Sequence, residues 1–342
     1  MSINRNISSV LKFSFFLGLG IFLVWWSIKK VDNFDEFKAS LTTANYWMIL
    51  PVFLILSTSH LLRALRWKLL MQPMGYKPSL ANTFFAVMIG YLANFAFPRL
   101  GEILKCTILS KYEKIPVEKN VGTIVAERAF DVVCLLLLFI VALALQYDVV
   151  IAAFNKLQHT NTAQKEANNQ FGFYLKLFFV VMIIVFFIWI IITKKWQLFL
   201  TKIRTIIKGI SEGLLSAWNL KQKYLFIGYS IAIWMLYLLG TWIGLYATKG
   251  SELGFGAALS ALAFASIGMV VTPGGIGSYA ILIAMVLEIY GVNKNIGLAN
   301  GTLQWFAQFI IIMVVGFVCL ILLPIYNKKR DRSNIDYRDS IA

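Results

Sequence analysis

The sequence predicts an all-α polytopic membrane protein with two inverted repeats, built from six full spans and two re-entrant helical hairpins. Hydropathy, an internal repeat and the placement of basic residues together predict this fold. The chain has 342 residues, of which 59% are hydrophobic, and its mean hydropathy is +0.73. Soluble domains are nearer half apolar, so the composition excludes an ordinary soluble globular protein.

Apolar runs of about 20 residues are long enough to cross the ~30 Å hydrocarbon core of a bilayer as helices. Such runs predict full spans at about 10–28, 46–65, 121–146, 171–193, 225–247 and 298–323. No small-residue cleavage site follows the first run, so we expect a retained helix rather than a secretory signal. Two other apolar segments, about 79–111 and 254–290, are broken by proline and glycine.

A short stretch of the first half recurs in the second half. Residues 113–122 (EKIPVEKNVG) reappear imperfectly as 288–297 (EIYGVNKNIG), and Pro98 falls on Pro273 at the same offset. Glycines follow each proline: Gly101 in the first copy, and Gly274, Gly275 and Gly277 in the second. Duplicated halves with broken hydrophobic segments at matching positions are typical of repeat-built transporters. We therefore expect one transmembrane domain over 1–342, with repeats at about 10–146 and 171–323.

Basic residues cluster between the apolar runs, which is the pattern of the positive-inside rule. The limb after the first break, 102–110, is only about 14 Å long as a helix and cannot cross the bilayer. If both broken segments are hairpins, the N terminus, the basic 194–223 segment and the 324–342 tail all become cytoplasmic. Each half then crosses the membrane three times, so the halves are inverted and the hairpins enter from opposite sides.

The net charge of +16 is therefore explained by membrane orientation, and we expect no nucleic-acid partner. The 194–223 segment also shows helical spacing of apolar residues, which predicts a helix in the interface or against the bundle end. We find no Walker A loop, no G-x-S-x-G elbow and no nucleotide fingerprint. The two histidines are expected on opposite sides and the three cysteines have no metal-ligand spacing. We therefore predict no catalytic residue, metal or cofactor.

Ionisable and polar residues within apolar segments are the candidate site, because such groups usually face a partner or a wet cavity. They predict a path for a polar substrate formed by Arg66, Asn94, Arg99, Glu102, Glu127, Arg128 and Asp131. Glu127 and Asp131 share a helix face, and Arg128 has the spacing to pair with Asp131. The alternative is a structural ion pair within reach of the headgroup interface, locking hairpin to helix.

Two further features leave alternatives open. Arg63 and Arg66 are either snorkelling anchors at the end of a span or contacts to a lipid phosphate. The glycines after Pro273 either expose backbone amides to an anionic group or allow tight packing. The predicted hairpin breaks are Pro98, Gly101, Pro273, Gly274, Gly275 and Gly277.

These motifs, in this order, resemble the lysylphosphatidylglycerol synthase transmembrane-region family, also called flippase-like. The resemblance covers about 10–325 and is carried by 63–67 (RALRW), 98–102 (PRLGE), 127–131 (ERAFD) and 273–277 (PGGIG). In fused members, this region looks like a flippase for aminoacylated phosphatidylglycerol made by a cytoplasmic synthase domain. The sequence stops at Ala342, shortly after the last predicted span, so we expect no synthase domain. Other relatives are named as glycosyltransferases that act with lipid-linked sugars.

The sequence and the resemblance together predict a lipid translocator of the bacterial cytoplasmic membrane, with both termini in the cytoplasm. Its partners would be a phospholipid or polyprenyl lipid and, in some settings, a cytoplasmic lipid-modifying enzyme. Two alternatives are a membrane-bound transferase, with Glu102 or Asp131 as base, and a scaffold for a lipid-modifying enzyme. The sequence gives no indication of the oligomeric state.

Overall fold

The computed structural model describes residues 33–96, 100–156 and 220–339, with the part after Arg330 described as backbone. Several predicted features lie outside these ranges, namely the spans at 10–28 and 171–193, most of the 194–223 helix, Pro98, Arg99 and His159. The described chain contains helices, turns and short 3₁₀ segments but no strand.

The described helices follow one another with short connections. They are α1 (Phe34–Thr42), α2 (Ile49–Met71), α3 (Leu80–Ala96), α4 (Leu100–Glu113), α5 (Val117–Leu145), α6 (Lys223–Leu245), α7 (Phe255–Val271), α8 (Ser278–Ile289) and α9 (Lys294–Asp339). Residues 147–156 are also helical, and α9 continues through much of the predicted 324–342 tail.

Four segments are long and apolar enough to cross a membrane, and each matches a span predicted from the sequence. They are Tyr46–Met74, Val117–Leu145, Lys223–Leu245 and Lys294–Arg330. The helices extend several residues beyond most of the apolar runs, because polar residues at the ends continue the backbone hydrogen bonding. The predicted all-α, multi-pass membrane class is thus confirmed.

Helices α3 and α4 pack against each other as a hairpin around the first break. Their 17 and 14 residues correspond to about 25 Å and 21 Å, less than a full crossing of ~30 Å. The backbones meet so closely that a Cβ atom at Gly101 would overlap the carbonyl oxygen of Gly90. The amide of Gly101 donates to Oδ1 of Asn94 at 2.8 Å, which caps the start of α4. The second helix of this hairpin, α4, runs from Leu100 to Glu113 and is therefore longer than the predicted 102–110.

Helices α7 and α8 form a second hairpin around residues 272–277. Gly274, Gly275 and Gly277 have φ angles of 63°, 71° and 72°, which side chains other than glycine rarely adopt. A Cβ atom at Gly275 would also overlap the sulfur of Met269. Ser278 Oγ donates to the carbonyl of Gly268 at 2.9 Å, across the turn. Tight packing, one of the two explanations for these glycines, is present; the anion-binding explanation stays a prediction.

The two hairpins open towards opposite ends of α9. At the open end of the first, Glu113 bonds to Arg330 at 2.6 Å, near the end of the apolar part of α9. The open end of the second leads directly into Lys294, where α9 begins, about 54 Å away along the helix. The closed ends meet, since the ring of Phe95 lies 3.0 Å from where a Cβ of Gly274 would stand.

Two pairs of helices related by the offset of the repeated stretch have equal lengths and matching neighbours, whereas α4 and α8 have 14 and 12 residues. Helices α3 and α7 both have 17 residues, and their first residues, Leu80 and Phe255, are as far apart as the two copies of the repeated stretch. Helices α2 and α6 both have 23 residues and begin at Ile49 and Lys223, one position short of that offset. Helix α2 packs against α6, and α3 packs against α9 as α7 packs against α5. Exchanging the two halves therefore leaves this set of helix contacts unchanged.

A buried carboxylate lies between the two helix ends at the open end of the first hairpin. Glu113, whose side chain is 5% exposed, accepts hydrogen bonds from Arg330, Ser79 and Asn82. Burial alone would raise the pKa of Glu113, but these hydrogen bonds outweigh it and hold the pKa below its ordinary value. At the equivalent position of the second half, Glu288 pairs with Lys156 at 2.6 Å, but both side chains are over a third exposed.

We predict that Glu113→Gln lowers the free energy of unfolding by roughly 1–3 kcal/mol, because hydrogen bonds to a charged group are lost. Thermal unfolding in detergent would measure this. Glu288→Gln is the matched control and should lose at most about 1 kcal/mol, since exposed ion pairs contribute little. The native pKa of Glu113 is depressed, so its contribution is present above the ordinary pKa and fades as pH falls through the native one. Equal losses in the two variants would contradict this assignment.

Candidate functional site: a buried charge cluster on α2, α4 and α5

Two arginines on α2 enter the protein interior rather than the membrane interface. Arg63 and Arg66 are three positions apart and so lie on one face of the helix. Their side chains are 9% and 0% exposed. The anchor interpretation is therefore wrong, because a snorkelling arginine keeps its guanidinium in water.

Both arginines bind the same carboxylate on α5. Arg63 Nη1 lies 2.9 Å from Oδ2 of Asp131, and Arg66 Nη2 lies 2.7 Å from Oδ1. Asp131 is the midpoint of α5, roughly 21 Å along the axis from either end. The cluster thus lies at mid-length of a helix that is long and apolar enough to cross a membrane.

Helix α6 supports the two guanidinium groups from the other side. Arg63 Nε donates to the hydroxyl of Tyr237 at 2.7 Å, and Arg66 Nη1 donates to Oγ of Ser230 at 3.2 Å. Arg66 also lies over the ring of Phe226, with 5.8 Å between Cζ and the ring centroid. These contacts fix both side chains in the orientation that reaches α5.

A third cation reaches the cluster from the first hairpin. Lys105 on α4 is 1% exposed, and its Nζ lies 3.1 Å from Oε2 of Glu127. The same ammonium group lies 4.4 Å from the ring centroid of Trp67 on α2. Glu127 is one turn before Asp131 on α5, on the same face as predicted. Its Oε1 is 3.6 Å from each of the two arginines.

The cluster has one exposed edge. Arg128 Nε lies 3.6 Å from Oε1 of Glu102, and these two side chains are 42% and 39% exposed. Arg128 lies at helical spacing on a stripe of α5 whose other members, Val121, Val125 and Val132, are exposed and apolar. Within the described residues, a loose ion pair thus interrupts an apolar outer face at the depth of the buried charges.

Some buried polar atoms here have no hydrogen-bond partner among the residues that the structure describes. They are both imidazole nitrogens of His60, Nε of Arg66, Oε1 of Glu127 and Nε of Arg128. His60 also faces the ring of Tyr91, with centroids 5.1 Å apart. Buried polar groups are normally paired, so these atoms are unsatisfied hydrogen-bonding groups of the cluster.

The structure brings together only part of the predicted site. Glu127 and Asp131 lie in the centre with Arg66, while Arg128 and Glu102 lie at its edge. The predicted Arg128–Asp131 pair is wrong, because Asp131 binds the two arginines of α2 and Arg128 turns to Glu102. Asn94 accepts from the backbone of Gly101 and closes the hairpin.

Sequence reasoning missed Lys105, Tyr237 and Ser230. The signal for Lys105 was a lone lysine in the apolar stretch Ile103-Leu104-Lys105-Cys106 of a broken segment. Tyr237 and Ser230 gave no signal, because their role depends on where α6 packs. Within the described ranges, no group of three or more histidine, cysteine, aspartate or glutamate residues is arranged to hold a metal ion.

Comparison with known proteins agrees with the membrane architecture. UPF0104 membrane protein MJ1595 of Methanocaldococcus jannaschii is 29% identical over 153 residues, which is 44% of this chain and 43% of that protein. The chain thus matches less than half the length of this relative. No solved structure matches the chain. The family described as lysylphosphatidylglycerol synthase TM region matches residues 10–316. The chain therefore belongs to the lysylphosphatidylglycerol synthase transmembrane-region family.

Proposed function

We propose that this protein is a lipid translocator. A lipid headgroup passes the charge cluster on α2, α4 and α5 while its acyl or polyprenyl tails stay in the bilayer. The observation that carries the proposal is the position of the cluster at mid-length of a membrane helix, with an edge on an apolar outer face. Ionisable groups at this depth usually mark a substrate path, and an apolar outer face is suited to lipid tails.

The arrangement of the hairpins supports translocation. We propose that α3–α4 and α7–α8 are re-entrant and belong to two inverted repeats. Their lengths are below a full crossing, they open towards opposite ends of α9, and their closed ends meet at Phe95 and Gly274. Non-helical backbone at membrane depth occurs where it is buried or lines a cavity. In repeat-built transporters, such broken segments flank the substrate site.

In this proposal the site residues have distinct tasks. Arg128 and Glu102 meet the headgroup at the exposed edge. Arg66, Glu127 and Asp131 form the charged floor of the path, and Asn94 holds the first break. The lipid is a phospholipid or polyprenyl lipid of the bacterial cytoplasmic membrane, and both termini are cytoplasmic.

The geometry favours translocation over the transferase alternative. A general base needs a carboxylate that is free to accept a proton from the substrate. Both oxygens of Asp131 already accept from arginines at 2.7 and 2.9 Å, so this carboxylate is a poor base. Glu102 is more exposed, but its neighbour is Arg128, and no described histidine contacts it.

We predict that Arg128→Ala slows lipid translocation by roughly tenfold or more, since a charged contact to the headgroup is lost. The full chain would be reconstituted in vesicles with a fluorescent phospholipid, and the accessible fraction followed with a membrane-impermeant quencher. Glu288→Gln, in the exposed pair with Lys156, serves as the control and should translocate at the native rate. An unchanged rate in Arg128→Ala would remove this residue from the path.

We also predict that residues 119 and 294 lie on opposite sides of the membrane, because their positions in the two halves are equivalent. Cysteines would be introduced as Lys119→Cys and Lys294→Cys in a chain whose three native cysteines are replaced by alanine. A membrane-impermeant maleimide should label position 119 from the cytoplasmic side and position 294 from outside. Labelling of both from one side would contradict the inverted repeat.

A further inference from the structure

The charges of the cluster do not balance. The described residues contribute four cations, Arg63, Arg66, Lys105 and Arg128, against three carboxylates. The carboxylates are Glu102, Glu127 and Asp131, so the net charge is +1. Protonation of the nearby His60 would add to the positive charge, so the sign does not depend on that residue.

The cations in excess surround the carboxylate of Glu127. Asp131 is fully engaged by two short ion pairs. Glu127 is left facing both arginines at 3.6 Å, beyond hydrogen-bond length, and Lys105 at 3.1 Å. One carboxylate thus serves three cations. Buried charge without a counter-charge is unfavourable in proteins, so the site is suited to receive an anion.

Two arginine nitrogens of the cluster have no hydrogen-bond acceptor among the described residues. Nε of Arg66 is buried inside the cluster, and Nε of Arg128 is buried at its edge. The Arg128–Glu102 pair, at 3.6 Å, is longer than the roughly 2.7–2.9 Å of a charge-assisted bond. A phosphate oxygen can therefore replace Glu102 at Arg128 without breaking a short ion pair.

We infer that the site selects a headgroup with net negative charge, such as a phosphodiester without an accompanying amine, and that Lys105 determines this selectivity. The inference rests on the proposed lipid translocation. A cationic headgroup, such as that of an aminoacylated lipid, would add positive charge to a site already in excess. Removing Lys105 brings the count to zero and removes the basis for preferring an anion.

The test compares three fluorescent lipids in vesicles holding the full chain: phosphatidylglycerol, phosphatidylcholine and lysylphosphatidylglycerol. The native protein should move the anionic lipid roughly tenfold faster than the other two. Equal rates for the three lipids, or fastest movement of the cationic one, would overturn the selectivity and leave translocation standing. Movement of none of them would overturn both.

Variants of two residues separate net charge from a specific lysine contact. Lys105→Met, which is similar in length, should reduce the ratio of anionic to zwitterionic rates to near one, while Lys105→Arg should keep it. The double variant Lys105→Met with Glu127→Gln restores the net charge of +1 and should regain the preference. The double variant also leaves no buried carboxylate without a cation. It therefore tests the role of net charge even if Lys105→Met alone fails to fold. A double variant without preference would show that charge balance is not the determinant.

Free phosphate could supply the same chemistry as a lipid headgroup. Uptake of radiolabelled inorganic phosphate into the same vesicles is therefore measured beside the movement of phosphatidylglycerol, with protein-free vesicles as the control. The expected result is lipid movement with no phosphate uptake above the control. Phosphate uptake without lipid movement would overturn the assignment of a lipid headgroup as the ligand.

Discussion

The pair of salt bridges from Arg63 and Arg66 to Asp131 is the interaction on which this structure depends. It joins the second half of α2 to the middle of α5, where a buried charge left without its partner would be strongly unfavourable. Lys105 and Glu127 extend the same contact to α4, so the first hairpin is fixed to both helices. Removing one charge of this set would leave the others buried and unpaired. The charges that hold the three helices together are therefore the ones that form the floor of the proposed headgroup path.

Breaking a helix inside a membrane creates a second constraint, because freed backbone groups need partners where water is scarce. Each hairpin meets it differently. In the first, the side chain of Asn94 accepts from the amide of Gly101. In the second, Trp305 donates to the carbonyl of Gly274 at 2.8 Å, and Ser278 donates to that of Gly268. The second break is thus hydrogen-bonded to α9, whereas the described hydrogen bond of the first break lies within its own hairpin.

Length and periodicity made the helices predictable, because a run of about 20 apolar residues is typical of a membrane-spanning helix. The shared face of Glu127 and Asp131 follows from helical geometry alone. Partners across helices did not follow: Arg128 has good spacing to Asp131, but the arginines of α2 approach that carboxylate from a direction that only packing determines. Lys105 stood out only as a lone lysine in an apolar stretch, and its pairing with Glu127 depends on how α4 packs against α5.

The described helices related by the repeat offset match in arrangement, but only those of the first half carry the buried charged residues. At the offset that relates the two copies of the repeated stretch, Arg66, Lys105, Glu127 and Asp131 correspond to Thr241, Ala280, Thr302 and Phe306, none of which is charged. The equal helix lengths and exchanged contacts therefore surround a single charged site rather than two within the described residues. In alternating access, one half rocks against the other around a fixed site, so that the site opens to each side in turn. In the proposed translocator, a site with its charges on one half and supporting hydroxyl groups on the other, from Tyr237 and Ser230, meets that requirement.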